Sequence, residues 1–473
     1  MYSSLADSVP LPSLLPVPAD ANALSPAIWP ASVTRTADGH LVIGGVDVVT
    51  LARDYGTPLY VVDEGEARAR ARALRDVFTA AAASIGTTVT VYYAGKALLT
   101  GAVVSWMLAE GLNIDVCSPG ELRLALAAGA AAARLGYHGN NKSVREIRDA
   151  VRAGVGVIVL DSEIEIDRVA EAAASVGRRQ AVRLRVNSGV HASTHEFLAT
   201  AHEDQKFGVP LERAVELGER IRNYPSLELL GLHCHTGSQI FDARGFAVSA
   251  ERLIRAHAAL AATAPLPELN LGGGFGIAYS AEDDPAPITD TVQGIMSAVA
   301  AACAAYGTLV PRLAFEPGRW IIGPAGVTLY TVGTVKPVPI PGGTRHYVSI
   351  DGGMSDNVRP ALYGACYCVR LASRVSTAVP TLVRVVGSHC EAGDIVVDAD
   401  YLPGDITPGD LVAVPATGAY CWSLGSNYNY FLRPAVVAVS AGTARLMVRR
   451  ETYGDLYTRD ADLSAQPWED SHD

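Results

Sequence analysis

The chain has 473 residues, of which 49% are hydrophobic and 18% are charged, and 38 basic against 49 acidic side chains give a net charge of −11. A chain of this length buries enough apolar surface for two or more domains. The acidic balance disfavours binding to nucleic acid or to an anionic membrane, because both require a basic surface. No apolar run reaches the roughly 18–20 residues that span a bilayer.

Two further features of the composition predict a cytoplasmic protein. No Lys or Arg precedes Arg35, so the start of the chain lacks the basic segment of a signal peptide. The cysteines are odd in number and dispersed, a pattern that indicates reduced thiols and not a disulfide framework. They are Cys117, Cys234, Cys303, Cys366, Cys368, Cys390 and Cys421.

Residues 1–62 are predicted to form an arm and short strands that pack with a β-domain. The arm is rich in proline, which makes it a poor core builder. Strand-like sequences follow at His40–Ile43 and Gly45–Val49.

From about residue 65, short apolar runs alternate with longer helix-like stretches. The strand candidates are Thr88–Ala94, Asn113–Cys117, Arg134–His138, Val155–Leu160, Ala181–Val186, Leu227–His233, Glu268–Leu271 and Arg312–Phe315. Helix candidates include Glu64–Ala83, Glu121–Ala133, Glu163–Val176 and Ala247–Ala262. Eight strand–helix units in about 250 residues predict an α/β fold, a (β/α)8 TIM barrel over residues 63–326. A doubly wound sheet is disfavoured because no Gly-x-Gly-x-x-Gly follows the first strand.

The helical texture ends near residue 327, which predicts a C-terminal all-β domain, sandwich- or barrel-like, over residues 327–455. Its strand candidates are Thr328–Val335, Arg345–Ile350, Thr381–Val386, Asp394–Val397, Asp410–Val414, Pro434–Val439 and Ala444–Arg449. Residues 456–473 carry scattered acidic residues and little apolar content, and they are predicted to form a tail.

Seven of the eight predicted barrel strands end in polar residues or in a run of glycines. In a TIM barrel the carboxyl ends of the strands line the active site, so we expect these groups to meet at one end of the barrel. They are Lys96, Asp115, His138, Arg185, His233 with His235, Gly272–Gly276, and Glu316 with Arg319.

Several of these residue types suit one kind of chemistry. Closely spaced glycines with Ser238 can cradle an anion, although a tight turn is the more common explanation for glycines alone. A carboxylate at Glu316 can keep a pyridine nitrogen protonated, although an ion pair with Arg319 is the plain alternative. A Lys such as Lys96 after a strand is usually exposed, but a partly buried one can form a Schiff base.

A metal site is disfavoured. The pair His233-x-His235 lies on one strand, where alternate residues point to opposite faces, so one ring is expected to face the helix layer. His191 and His195 lie in a polar loop without a suitably placed Glu, and they are predicted to be loop structure.

The chain resembles the diaminopimelate decarboxylases, which belong to the group IV, alanine-racemase-like, pyridoxal-phosphate decarboxylases. The likeness runs from about Ile28 to Glu451. It rests on the motifs Tyr93–Ala97, Cys117–Leu122, His138–Ser143, Thr194–Phe197, Glu203–Gly208, Gly237–Asp242, Glu316–Arg319, Asp351–Asn357 and Cys390–Asp394.

The resemblance implies a set of cofactor-binding residues for pyridoxal 5'-phosphate. Lys96 binds the cofactor covalently, His235 stacks on its ring, and Glu316 pairs with the ring nitrogen. The complete set is Lys96, Asp115, Arg185, His235, Ser238, Gly273, Gly274, Gly276, Glu316 and Tyr420.

The resemblance also implies a substrate, a partner and a reaction. Arg319, Arg359, Tyr363, Glu391 and Tyr420 bind the substrate, with the arginines on its carboxylates. The catalytic residues are Lys96 and Cys390. Cys390 and Glu391 enter the site from a second copy of the chain, so a homodimer with shared sites is expected. The implied reaction converts meso-2,6-diaminopimelate into L-lysine and CO2, the last step of lysine biosynthesis.

Other functions stay open on sequence alone. A sibling decarboxylase of ornithine, arginine, a carboxylated polyamine or a specialised diamino acid is one alternative. Arg359 and Tyr363 favour diaminopimelate over ornithine, because only diaminopimelate has a distal carboxylate. An alanine racemase is disfavoured, since its pyridine nitrogen is met by an Arg. A non-catalytic binding protein is disfavoured by the presence of Lys96, Glu316, Cys390 and Tyr420.

Overall fold

The computed structural model describes residues 15–190 and 206–463 of the chain. These residues divide into two compact units. The β-rich unit contains the described residues up to Ala67, the segment Ala278–Asp283 and the described residues from Gly323 onward, and the barrel unit contains Arg68–Ile277 and Asp284–Ile322. The boundaries predicted at residues 62, 326 and 455 stay predictions, and residues 464–473 of the predicted tail lie outside the described residues.

Short elements open the described chain. They are β1 (Thr34–Arg35), β2 (Leu41–Ile43), β3 (Val46–Asp47), α1 (Val48–Tyr55) and β4 (Leu59–Asp63), and β1 to β3 form an antiparallel sheet. The predicted strand Gly45–Val49 is wrong beyond Asp47, because the Asp47 carboxylate accepts a hydrogen bond from the Val49 N–H and begins a helix there.

In the described part of the barrel unit, eight parallel strands close into a barrel, which confirms the predicted TIM barrel. The strands are β5 (Val89–Ala94), β6 (Asn113–Val116), β7 (Leu135–Tyr137), β8 (Val157–Leu160), β9 (Gln180–Asn187), β11 (Leu227–His233), β12 (Glu268–Asn270) and β13 (Arg312–Phe315), with β10 (Val209–Pro210) beside β9. Buried parallel strands need apolar side chains on both faces, and β8 is buried at every position.

Helices alternate with these strands. They are α2 (Glu64–Ser84), α3 (Gly101–Ala109), α4 (Pro119–Ala127), α5 (Val144–Ala153), α6 (Glu163–Ser175), α7 (Ala214–Arg222), α8 (Arg244–Ala261), α9 (Ile288–Ala305) and α10 (Arg319–Ile322). The predicted helix Glu121–Ala133 is wrong at both ends. It begins earlier because Ser118 caps it with Pro119 in its first turn, and it stops at Ala127, just before Gly129 with φ +90°.

One described helix, α9, is long and apolar enough to cross a membrane by length and composition. It follows β12 and precedes β13, and it buries Val292, Ile295 and Met296 on one face. Its position therefore makes it one of the helices of the barrel.

The β-rich unit takes strands from both ends of the described chain. After β4, its elements are β14 (Gly326–Ile340), β15 (Gly343–Ile350), α11 (Arg359–Tyr363), β16 (Arg370–Leu371), β17 (Pro380–Val386), β18 (Ile395–Pro403), β19 (Leu411–Pro415), β20 (Ala435–Ser440), β21 (Thr443–Val448) and α12 (Tyr453–Tyr457). The main sheet has the order β18-β17-β15-β14-β4-β20-β21, and β19 pairs with β14 and β16. The seven strands predicted after residue 327 are thus confirmed, with ends that differ by several residues.

A buried ion pair crosses the interior of the barrel below the strand ends. The Arg183 guanidinium on β9, 1% exposed, lies 2.5 Å from a Glu268 carboxylate oxygen on β12 and donates to the Tyr92 hydroxyl on β5 at 3.2 Å. Such a pair needs both partners, because a single buried charge loses its hydration without compensation.

We expect Arg183→Met to lower the free energy of unfolding by about 3–5 kcal/mol, because Glu268 is then buried without its cation. Arg183→Met combined with Glu268→Leu is expected to recover much of this loss. Urea denaturation of the purified variants measures both values. The control is Arg213→Met, which breaks exposed ion pairs on the surface and is expected to leave stability unchanged. A double variant no more stable than Arg183→Met would contradict this interpretation.

Candidate functional site

The parallel barrel brings the predicted polar strand ends to one rim. Lys96 lies in a single 3-10 turn, Gly95–Ala97, directly after β5, and its side chain is exposed. Its charge lowers the pKa of His235, which burial already holds well below the ordinary value. Two strand ends far apart in the sequence, those carrying Lys96 and His235, are therefore neighbours at the rim.

Glu316 is the buried centre of this rim. It follows β13 directly and is 9% exposed. The Asn270 amide donates to Glu316 Oε1 at 2.6 Å, and His233 Nε2 lies 3.0 Å from Oε2. Arg319, the alternative partner considered above, donates instead to the Ser238 hydroxyl at 3.1 Å.

A second carboxylate, Asp115, lies close to Glu316, and His138 lies between them. His138 Nε2 is 3.2 Å from Asp115 Oδ1 and 3.3 Å from Glu316 Oε1. Its ring meets the His233 ring edge-on at 5.1 Å between centroids. We call Asp115, His138, His233 and Glu316 the carboxylate–histidine cluster.

The groups of this cluster titrate in opposite directions. Burial alone would raise the pKa of Glu316, but the histidines hold it well below its usual range. Burial and Glu316 raise the pKa of Asp115 to about 6. Burial alone would lower the pKa of His138, but Glu316 and Asp115 raise it to about 9. Burial lowers the pKa of His233 to about 4, so at pH 7 this ring is neutral while the other three groups are charged.

A buried lysine anchors the loop that begins at His138. Lys142, 2% exposed, donates from Nζ to the carbonyls of Gly139 at 2.6 Å and Val159 at 2.8 Å, and it lies 2.8 Å from a Glu165 carboxylate oxygen. Lys142 therefore attaches the loop that begins at His138 to β8 and to α6.

The two histidines of His233-x-His235 both belong to the rim, so the prediction that one ring faces the helix layer is wrong. His233 contacts Glu316, and His235 Nδ1 accepts from the Gly273 N–H at 3.4 Å. The alternation argument fails because β11 ends at His233, and His235 lies in the following loop.

The predicted glycine cradle lies where three chain segments converge. A Cβ atom on Gly273 would come 2.1 Å from the Glu316 carbonyl oxygen, and one on Gly274, with φ +109°, would come 2.3 Å from that of Gly237. A Cβ on Gly276 would meet the Phe241 ring at 2.4 Å. No side chain larger than hydrogen fits at these positions, so backbone forms the surface of the cradle.

Two more predicted residues lie in the barrel unit. Arg185, on β9, is half-buried, with its guanidinium 3.4 Å from Asp161 and 4.3 Å above the Phe207 ring centroid. Ser238 is exposed beside the glycines. With Lys96, Asp115, His235, Glu316 and Arg319, these residues are brought to the carboxyl ends of the strands, as the topology predicts.

The remaining predicted residues belong to the β-rich unit. Arg359, which begins α11, is 6% exposed, donates to the Tyr367 hydroxyl and lies 4.7 Å above the Tyr279 ring. Tyr363, which ends α11, is exposed. Tyr420 has a positive φ of +65°. The exposed pair Cys390 and Glu391 lies in the turn between β17 and β18.

That turn is held by a buried carboxylate. Asp394 accepts from the N–H groups of Met354 at 2.6 Å and His389 at 2.8 Å, and its oxygen lies 2.9 Å from His389 Nδ1. Asp394 therefore joins the Cys390 turn to the loop that precedes α11.

Some predictions fall outside the described residues. These are the motif Thr194–Phe197, residues 203–205 of the motif Glu203–Gly208, and the loop histidines His191 and His195.

Sequence reasoning assigned no role to His138, His233 or Asn270. His138 belongs to the motif His138–Ser143. His233 belongs to the pair His233-x-His235, for which metal binding is the one function that the sequence pattern suggests. Asn270 ends β12, and its side chain also accepts from the Gly272 N–H at 2.8 Å. The one available signal was a polar residue at the end of an apolar strand, which applies to all three.

The residues present fit a pyridine cofactor with an aldehyde and a phosphate. Glu316 is a buried carboxylate suited to a ring nitrogen, Lys96 offers an exposed amine, and the glycines offer backbone that can approach an anion. Both carboxylate oxygens of Asp115 are buried without an aligned hydrogen bond among the described residues. The ligand atoms of His138, His233 and Glu316 lie within 4.8 Å of one another, a spacing that a metal ion also accepts, so the expectation of no metal stays a prediction.

Comparisons with known proteins give a consistent result. Residues 69–323 match the family model described as the pyridoxal-binding domain of pyridoxal-dependent decarboxylases. The diaminopimelate decarboxylase of Mycobacterium tuberculosis (strain ATCC 25618 / H37Rv) is 49% identical over 442 residues, which are 92% of this chain and 97% of the relative. That of Bacillus subtilis (strain 168) is 44% identical over 434 residues, 89% of this chain and 95% of the relative. The solved diaminopimelate decarboxylase from M. jannaschii in complex with L-lysine has a TM-score of 0.83 and 30% identity, over 91% of this chain and 98% of the other.

We expect Asn270→Asp to make the barrel unit unstable at neutral pH. The change removes the N–H donated to Glu316 and adds a further carboxylate, besides Asp115, next to it. The repulsion raises the pKa of Glu316 and of the new carboxylate. A folded protein in which the pKa of an acid is raised loses stability as the pH rises from the unfolded to the folded pKa of that acid. Here we expect this loss between about pH 4 and about pH 7. Thermal unfolding across this range measures the effect.

The matched control is Asn223→Asp at the exposed end of α7. Its difference from the wild type is expected to stay nearly constant with pH. If the Asn270→Asp and wild-type curves ran parallel, Asn270 would not be supporting an ionised Glu316.

Proposed function

Because the chain belongs to the pyridoxal-dependent decarboxylase family, we propose that it converts meso-2,6-diaminopimelate into L-lysine and CO2, the last step of lysine biosynthesis. One observation carries this proposal, namely 49% identity to a diaminopimelate decarboxylase over 92% of the chain. Its cofactor is pyridoxal 5'-phosphate, for which the rim of the barrel offers suitable groups.

We propose the following cofactor contacts in the barrel. The Lys96 amine binds the aldehyde, and the Glu316 carboxylate accepts the N–H of the ring nitrogen. His235, a half-buried imidazole whose pKa lies well below its ordinary value because of desolvation, covers one ring face. Ser238 and the backbone of Gly273, Gly274 and Gly276 bind the phosphate, and Asp115, Arg185 and Tyr420 complete the cofactor contacts.

When bound, pyridoxal phosphate supplies an electron sink for the electron pair left by the departing CO2. The chain's own residues hold and move protons around that sink. Glu316, kept ionised by its histidine and amide partners, holds the ring nitrogen proton in place. Cys390 would donate the proton that replaces the carboxylate on the α-carbon, or would position the group that does, and Lys96 would hold the cofactor through its amine between turnovers.

Substrate recognition is proposed to use complementary charges. Arg319 and Arg359 bind carboxylates, because a guanidinium meets a carboxylate with two parallel N–H donors. Glu391 meets the distal ammonium, and Tyr363 and Tyr420 add hydroxyl groups. These roles follow from the family resemblance at the matching positions.

We propose that the enzyme is a cytoplasmic homodimer in which Cys390 and Glu391 serve the partner's site. Both side chains are exposed at a turn of the β-rich unit, as residues that serve a second copy need to be. The seven cysteines are all free, which suits a reducing compartment.

The activity is tested by measuring CO2 and L-lysine release from meso-diaminopimelate with pyridoxal phosphate supplied. L,L-diaminopimelate, ornithine and arginine are assayed in parallel. We expect turnover of the meso isomer alone, and we expect Lys96→Ala to abolish it because no other residue is proposed to bind the aldehyde. Turnover of another amino acid would move the chain to a sibling activity, and near-wild-type lysine release by Lys96→Ala would refute the assignment.

The shared site is tested by mixing two inactive variants, Lys96→Ala and Cys390→Ala. When subunits exchange at random, half of the dimers are mixed, and each has one intact site, so recovery to about a quarter of wild-type activity is expected. Exchange is verified independently with differently tagged subunits. Proven exchange without recovery would show that Lys96 and Cys390 serve the same subunit.

A further inference from the structure

His138 occupies a position that the proposed reaction does not explain. It lies between two buried carboxylates, with Nε2 at 3.2 Å from Asp115 and 3.3 Å from Glu316. Asp115 is 6% exposed and Glu316 is 9% exposed. Two neighbouring buried carboxylates repel each other, and without a compensating charge one of them takes up a proton.

The contacts around His138 indicate that its charge matters more than a directed hydrogen bond. Among the described residues, His138 Nε2 and both Asp115 carboxylate oxygens make no aligned hydrogen bond, although they lie at ion-pair distance. A single Nε2–H facing two carboxylates cannot point at both, whereas a positive charge attracts both.

The other charged groups that face this position do not replace His138. His233 contacts the far oxygen of Glu316, and its low pKa leaves it neutral. Arg183, whose charge reaches Asp115 and Glu316, is already paired with Glu268 deeper in the barrel. His235 is half-buried and neutral, because desolvation holds its pKa well below the ordinary value, and the Lys96 amine is assigned to the cofactor aldehyde.

We propose that His138 is a positioning residue that holds a positive charge between Asp115 and Glu316, so that both carboxylates stay ionised and Glu316 carries no proton of its own. This inference rests on the proposed function in one respect, the assignment of Glu316 to a pyridine nitrogen. A Glu316 that carried a proton would donate to the ring nitrogen and would no longer keep it protonated. His138 thus affects the protonation of the cofactor's ring nitrogen through Glu316.

The test compares the wild type with His138→Gln and with Asp115→Asn/His138→Gln. Glutamine keeps an amide N–H between the carboxylates but removes the charge. We expect the acid limb of the pH profile of kcat/KM to move up by about one unit in His138→Gln, because the two carboxylates then share a proton. The visible absorption of bound pyridoxal phosphate is also titrated with pH, and the midpoint of this titration is expected to move up by the same amount.

The double variant distinguishes charge from packing. Asp115→Asn removes the repelling carboxylate, so the acid limb and the absorption titration are expected to return toward the wild-type position. A loss of packing at residue 138 would persist in the double variant. The matched control is His257→Gln, which removes a buried neutral histidine from α8 and is expected to leave both profiles in place.

A third measurement needs no cofactor and therefore separates failure of this inference from failure of the proposed function. His138 has a pKa raised from 6.5 to about 9 in the folded state. A histidine whose pKa is higher in the folded than in the unfolded state contributes its full stabilisation below the pKa of the unfolded state. This stabilisation disappears as the pH rises through the pKa of the folded state. Without pyridoxal phosphate, the stability gap between wild type and His138→Gln is expected to be largest near pH 6.5 and to narrow toward pH 9 as His138 loses its proton. At lower pH the gap is also expected to narrow, because the carboxylates that His138 pairs with take up protons.

Three results would overturn the inference. They are superimposable pH profiles for the wild type and His138→Gln, a double variant whose acid limb and absorption titration stay at the pH found for His138→Gln, and a stoichiometric metal ion bound by the cluster in the purified holoenzyme. Failure of the wild type to bind pyridoxal phosphate would refute the proposed function, and the stability gap would still report on the charge of His138.

Discussion

A carboxylate that must stay ionised while buried is the constraint on which the rim of this barrel depends. Glu316 is 9% exposed, and in that position its charge is costly unless neighbours compensate it. Asn270, His233 and His138 each approach one of its oxygens, and each comes from the end of a different strand. The closed parallel sheet is what brings these strand ends together, so the fold supplies the compensation that the carboxylate needs.

The barrel interior separates two charged layers with different tasks. Lower down, Arg183 and Glu268 neutralise each other and the Tyr92 hydroxyl joins them, which fills the interior without leaving a free charge. At the rim, the carboxylate–histidine cluster holds two ionised carboxylates against one charged histidine at pH 7, which leaves a net negative charge at the strand ends. The balanced charge of Arg183 and Glu268 is consistent with a structural role. The unbalanced charge of the carboxylate–histidine cluster is consistent with a role in chemistry.

The strands were predictable because each one is a short apolar run in a chain that otherwise favours helices. The errors arose where a local hydrogen bond overrode the apolar pattern. Asp47 caps a helix inside the predicted strand Gly45–Val49, and Ser118 begins α4 earlier than its composition indicates. Lys96, Asp115, His235 and Glu316 could be assigned to one rim from topology. The bridging position of His138 could not, because it depends on how the three strand ends that carry Asp115, His138 and Glu316, up to 201 residues apart in the sequence, approach one another after the barrel closes.

The pairing of β4 with β20 has a consequence for biosynthesis. β4 ends at Asp63, and its parallel neighbour β20 begins at Ala435, so the entire barrel is translated between them. A ribosome adds about 5–20 residues per second. β4 therefore waits tens of seconds even for its first partner, the antiparallel strand β14 that begins at Gly326, and longer for β20. Contacts over such long sequence separations also form slowly. During that interval the nascent β4 is an unpaired strand, and chaperones that shield such strands are expected to influence the yield of folded protein more strongly than for a barrel without this appended unit.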